Sequence, residues 1–279
     1  MPIHDQGYRR YGGARAPRGQ GWIVIARSGI RSMLAKRAFL GLLLLAWLPF
    51  FVRAVQIYAA ANLPQAAFLA PTAETFREFL DQQEIFVFFI TVYAGAGLIA
   101  NDRRANALQI YLSKPITRTE YVFGKLAILM AFLLLVTWLP AIVLLVVQIA
   151  FAGNFTFFRN NAFLFPAITL FAFVQVTLVS TAMLALSSLS NSGRYVGILY
   201  AAVLFFTQAI YGVLYAVTRT TIFAWVSFSA NLSQIGDVIF RLPHRYDTPW
   251  PVSLVVTAAV VAASALILER RVRGVEVVT

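Results

Sequence analysis

The chain has 279 residues, 60% of them hydrophobic and 12% charged, with 23 Lys and Arg against 11 Asp and Glu and no cysteine. So apolar a composition excludes an ordinary soluble domain, and the lack of thiols excludes disulfides and thiolate chemistry. The net charge of +12 would suit a nucleic-acid surface, but its placement along the chain speaks against that.

Residues 1–20 are rich in Gly, Arg and Gln, with Arg9, Arg10, Arg15 and Arg18 against Asp5. They read as a disordered basic cytoplasmic tail, and the first apolar run starts too late and is too long for a cleavable signal peptide. From Trp22 to Arg37 the pattern is amphipathic, with Trp22, Ile25, Ala26, Ile30 and Met33 on one side and Arg27, Ser28, Arg31 and Lys36 on the other. A basic helix of this kind over 21–37 lies in the headgroup plane.

Crossing a bilayer core of about 30 Å takes about 20 residues of helix, and six apolar runs serve that purpose. They fall near residues 38–58, 85–100, 126–151, 163–189, 195–217 and 251–268. The fold class expected is therefore an all-α membrane protein, with a six-span domain over 38–268 and a cytoplasmic tail at 269–279. Arg53 lies where it would snorkel to the interface. Residues 59–83 read as an outer loop in which Phe76, Phe79 and Leu80 share a face and Glu74, Glu78 and Asp81 are acidic. Gly95 and Gly97 allow close helix packing, and Pro140 marks a kink in the third span. A tight inner turn holds Asn191, Gly193 and Arg194. The outer segment 218–250 contains an amphipathic piece with Leu232, Ile235, Val238 and Ile239 on one side.

Placing both termini inside puts 17 of the 23 Lys and Arg on the inner segments and 6 on the outer ones, while the acids divide 5 and 6. Basic short loops stay cytoplasmic, so the surplus charge sets orientation and touches lipid rather than nucleic acid.

Between the second and third runs lies the polar link 100–118, closing at Gly124-Lys125. Asp102 and Arg103 are expected to open a short helix over 102–114, an acid being favourable beside unpaired N–H groups. Leu108, Tyr111, Leu112 and Pro115 recur on one face, and Asp102, Arg103, Asn106 and Gln109 occupy another. Pro115 ends the helix, and Thr117 and Arg118 follow. This string, acid-Arg, Leu108, Leu112-Ser113, Pro115-Ile116-Thr117-Arg118 and Gly124-Lys125, resembles the signature of the integral-membrane permease subunits of type-two ABC exporters. Asn106 stands where that family usually has Gly, and Ala107 where it has Thr. The ending Arg-Val-Arg-Gly-Val-Glu-Val-Val resembles the same permeases.

The resemblance implies that 102–114 is the coupling helix seated on an ATPase subunit and that 21–37 is the connecting helix before the first span. It implies two ATP-binding subunits and a second permease copy or paralogue as partners, in a prokaryotic cytoplasmic (inner) membrane. Asp102, Arg103, Arg104, Leu108, Tyr111, Leu112, Pro115 and Arg118 become the candidate ATPase-coupling residues. It also implies that the second and fifth spans line the path at a two-fold dimer interface, where Thr207, Gln208, Tyr211, Tyr215 and Tyr93 are the candidates.

Chemistry of the chain's own is not in view. Gly124-Lys125 lacks the first glycine and the hydroxyl residue of a P-loop, so ATP and Mg belong on a partner and no cofactor is expected here. His4 and His244 lie far apart and no acid pair shares a helical face, which leaves no metal site. The spans lack a central Asp, Glu, Lys or Arg, which disfavours an ion-coupled carrier. An uncharged path of aromatic, hydroxyl and amide groups suits an amphipathic or lipophilic compound. The sequence thus reads as a permease subunit exporting such a compound, no enzyme by itself. The alternative is a membrane anchor or scaffold for an ATPase complex without solute transport.

Overall fold

A computed structural model describes residues 19–107, 116–152 and 156–272, and every regular element among them is helical. Six of the helices are long and apolar enough to cross a membrane.

Helix α1 (Gly21–Leu34) buries Ile25 and Ala26 and leaves Arg27, Ser28 and Arg31 exposed. The first span comprises α2 (Arg37–Ala46) and α3 (Leu48–Asn62), which meet at Trp47. Pro49 in the first turn of α3 supplies no N–H to the ladder, so the helix breaks there.

The second span is longer than its apolar run. Helix α4 (Ala73–Ile90) passes through a wide π turn, Thr91–Gly95, into α5 (Gly97–Arg104), giving 32 continuous residues. The expected outer loop at 59–83 therefore ends at Thr72. Thr72 and Thr75 form a capping box, with the Thr72 N–H donating to Thr75 Oγ1 at 3.1 Å, and Glu74 in the first turn favours the positive end of the dipole. Phe76, Phe79 and Leu80 are fully buried, packed with Leu144, Ile168 and Phe171 of the third and fourth spans. Acids on the opposite side dilute the hydropathy of these turns and disguise them as loop.

The third span joins α6 (Arg118–Val136) to α7 (Trp138–Phe151). Its break at Thr137 lies three residues before Pro140, whose ring crowds the Val136 carbonyl; the Thr137 hydroxyl turns back to Leu133 O at 2.8 Å. After the short α8 (Thr156–Asn160) come the fourth span, α9 (Leu164–Leu189), and the fifth, α10 (Gly193–Thr218). Helix α11 (Phe228–Ile239) and the sixth span, α12 (Trp250–Arg271), complete the described chain. The fourth span is the most buried of the six, whereas the first, fifth and sixth cover only a stripe and leave large apolar side chains outward. A bilayer or a second subunit can meet those faces without exposing backbone polar groups.

The two ends of the bundle differ. At one end α1, the 97–104 turn, the start of the third span and the 190–194 turn come together. At the other, α11 folds back over α4 so that Arg77, fully buried, lies between Asp81, Asp237 and the Phe171 ring, whose centroid is 4.4 Å from the guanidinium carbon. Gly236 is required beside it: a Cβ there would fall 2.4 Å from Arg77 Nε.

Candidate functional site

At the α1 end Asp102 does not open a helix, as the sequence suggests; it lies inside α5, which runs on to Arg104. Asp102 occupies the last turn of α5, where the dipole disfavours an acid. Two donors from the third span offset this: Tyr121 Oη donates to Asp102 Oδ2 at 2.7 Å and Lys125 Nζ lies 2.6 Å away. The side chains of Asp102 and Lys125 are 19% and 10% exposed. Arg103 also turns inward, its guanidinium donating to the Ser188 carbonyl at the C-terminal end of the fourth span, where a cation is favoured. Arg104 and Arg118 are exposed and make no hydrogen bond or ion pair with the described residues. Of the three arginines proposed to meet a partner, two remain outward.

Asn106 has φ of +52°, the left-handed conformation that closes the helix after Ala105. That accounts for the Gly usual at this position in the resembling family, since Gly and Asn are the residues that enter this region readily. Leu108, Tyr111, Leu112 and Pro115 lie outside the described residues.

The far side of the link is equally fixed. Thr117 caps the third span, with Glu120 N donating to Thr117 Oγ1 at 3.2 Å and Glu120 Oε2 accepting from Thr117 N at 2.7 Å. Glu120 Oε1 also accepts from Gly21 N at 3.1 Å, which ties the start of α1 to the same corner. One turn on, Gly124 lets α1 lie directly on the third span: a Cβ would be 2.8 Å from Ile25 Cβ and 3.0 Å from the Trp22 carbonyl. Both flanks of the 105–117 link are thereby tied to the second, third and fourth spans.

The path candidates separate into two places. Thr207 accepts weakly from Phe228 N (3.5 Å), and Gln208 Oε1 accepts from the Ser227 hydroxyl at 2.6 Å. Tyr211 packs against Tyr215 and Tyr246 at centroid distances of 6.3 and 5.9 Å. These residues hold the 222–248 segment onto the fifth span. Tyr93 is elsewhere, stacked on Phe39 at 5.4 Å and bordering an open groove of about 910 Å³ between the second and fifth spans. Phe88, Val92 and Ile198 line that groove, and Arg104 and Arg194 stand at its α1 end.

Residues 23–239 match the family described as ABC-2 family transporter protein. This chain belongs to that family. Curated proteins yield no match. As an ABC-2 family member the chain is a multi-pass permease subunit of an ABC transporter, working with ATP-binding subunits in a membrane complex.

One contact of the permease escapes a face-by-face reading of its sequence. Where the π turn gives way to α5, Ser187 of the fourth span bonds to the backbone of the second. Its Oγ accepts from Ile99 N at 3.1 Å and Ala100 N at 3.0 Å and donates to Ala96 O at 2.8 Å. Ser188 beside it instead donates to Ala185 O within its own helix at 2.7 Å. No groups of His, Cys, Asp and Glu suited to a metal occur among the described residues.

Proposed function

We propose that this permease subunit exports an amphipathic or lipophilic compound across a prokaryotic cytoplasmic membrane, with the α1 end on the cytoplasmic side. It pairs with a second copy or a paralogue and with two ATP-binding subunits, which carry ATP and Mg. The observation that supports this most directly is the clamping of Asp102 and Arg103 to the third and fourth spans. Closure of the ATPase dimer presses on the 105–117 link, and the pull passes through Asp102 to Tyr121 and Lys125 and through Arg103 to the end of the fourth span. Arg104 and Arg118 remain to make charge-assisted contacts with the ATPase, and Leu108, Tyr111 and Leu112 supply the apolar knob. Coupling of this kind requires contacts that differ between two states of the bundle.

Reconstitution of the permease with its ATPase tests the reading. Leu108→Asp is expected to abolish stimulated ATP hydrolysis while leaving membrane insertion intact, and unchanged coupling in that variant would overturn the docking role. A panel of amphipathic compounds should raise the ATPase rate of the wild-type complex. A rate indifferent to every compound, with the complex still assembled, would favour an anchor without solute transport.

A further inference from the structure

Where α11 lies on α4, five ionisable side chains cluster, and four of them balance one another. Asp81 pairs with Arg77 at 2.5 Å and with Arg245 at 2.7 Å, and Asp237 faces Arg77 Nε at 3.7 Å and Arg245 Nε at 3.2 Å. Two guanidinium groups thus meet two carboxylates. Glu84 is the fifth, three residues beyond Asp81 and on the same side of α4. It makes no hydrogen bond or ion pair with the described residues, and its Oε1 is buried without a partner. The charged groups acting on it are Asp81, Arg77 and Arg245, and the Tyr200 phenol adjoins it from the fifth span.

Glu84 borders a small, partly open pocket of about 40 Å³ lined by the second, fourth and fifth spans and α11. A second side chain points to an occupant. Gln175 of the fourth span is 1% exposed, borders the same pocket, and also has a buried Oε1 with no partner. Ser229 and Tyr200 add hydroxyl groups to an otherwise apolar wall of Val87, Phe88 and Leu204. The space exceeds the roughly 10–15 Å³ that one water-sized occupant needs, and a single carboxylate supplies one negative charge, which one monovalent cation balances. An uncompensated carboxylate in such surroundings is costly, and carboxylate, amide and hydroxyl oxygens are ligands suited to a hard cation.

We propose that Glu84 and Gln175 form a monovalent-cation site inside the bundle, which takes one sodium ion or one proton and so neutralises the cluster. Occupancy holds the second, fourth and fifth spans and α11 around one point, and it favours whichever arrangement of them keeps the oxygens converged.

Thermal unfolding of the full chain in nanodiscs, with sodium replaced by choline at equal ionic strength, provides the test. If sodium is the occupant, the wild-type midpoint rises with sodium by mass action, and Glu84→Gln abolishes the response. If a proton is the occupant, sodium has no effect. The wild-type midpoint then falls as pH rises, because folding takes up a proton that the unfolded chain releases, and Glu84→Gln flattens that dependence. Gln175→Leu keeps the carboxylate and is expected to weaken the sodium response or alter the pH profile, so the test stands even where Glu84→Gln fails to fold. A wild-type protein without a sodium response, whose pH profile matches that of Gln175→Leu or Glu84→Gln, overturns the proposal.

Discussion

Asn106 shows how one backbone angle constrains residue choice. At φ +52° a side chain that cannot compensate is penalised, by about 1–2 kcal/mol for a β-branched residue in the left-handed region. Asn106→Val should therefore lower the unfolding midpoint in detergent by a corresponding amount, whereas Asn106→Gly should leave it unchanged or raise it. Asp102 poses a different problem, because its value depends on Lys125. Removing one member of a buried pair costs about 3–5 kcal/mol when the other is left uncompensated, and partial exposure of Asp102 brings the expected loss to the low end of that range or below. Asp102→Asn and Lys125→Met should each destabilise the protein, and the double variant should lose less than the two losses added. Strict additivity in the same melts would show that the pair does not hold the link.

Among the elements, α1 is held close to the third span by glycines. Gly29 and Gly124 allow its axis to approach the third span; at Gly29 a Cβ would meet Ile128 Cδ1 at 2.1 Å. Gly124→Val should pry α1 away, exposing Arg27 and Arg31 to faster tryptic cleavage while the spans stay protected. Unaltered cleavage would mean that α1 is held chiefly by other contacts. The opposite end depends on a clasp between the 219–222 turn and 246–248. Asp247 Oδ2 accepts from the Thr221 hydroxyl at 2.7 Å and from its N–H at 3.3 Å. Those hydrogen bonds hold the Asp247 carboxyl below the usual range. With its folded value depressed, the clasp is at full strength above the unfolded carboxylate value and is lost as pH falls through the folded one. Amide exchange at Thr221 and Asp247, corrected for intrinsic rates, should accelerate on acidification and become insensitive to pH in Asp247→Asn.

For the whole molecule, the sequence is most informative where periodicity and length decide the matter. Six spanning-length helices, the break near Pro140 and the position of the polar link before Gly124-Lys125 can all be read from apolar spacing and turn residues. Less legible are the features that depend on what lies across a helix interface. Hydropathy over 73–84 is diluted by Glu74, Glu78 and Asp81, so in the sequence the second span reads as starting at Ile85 and Arg77 as part of a loop. Asp102 looks like the start of a helix because an acid suits that place, and only Tyr121 and Lys125, 19 and 23 residues further on, show why it ends one instead. Ser187 cannot be singled out without the second-span backbone that it meets. The candidate path residues come from the second and fifth spans, yet Gln208 and Tyr211 are taken up by the 222–248 segment while Tyr93 borders a separate groove. The π turn itself has a mechanical corollary. Each residue advances an α-helix by about 100°, so the extra residue in Thr91–Gly95 sets the angular phase between Arg77 and Asp102. Shortening it by one would swing Asp102 about a quarter-turn away from Lys125 while Arg77 stayed in place. A bulge of this kind can also travel along its helix like a ruck in a carpet, letting one half of the rod swivel against the other without either half melting.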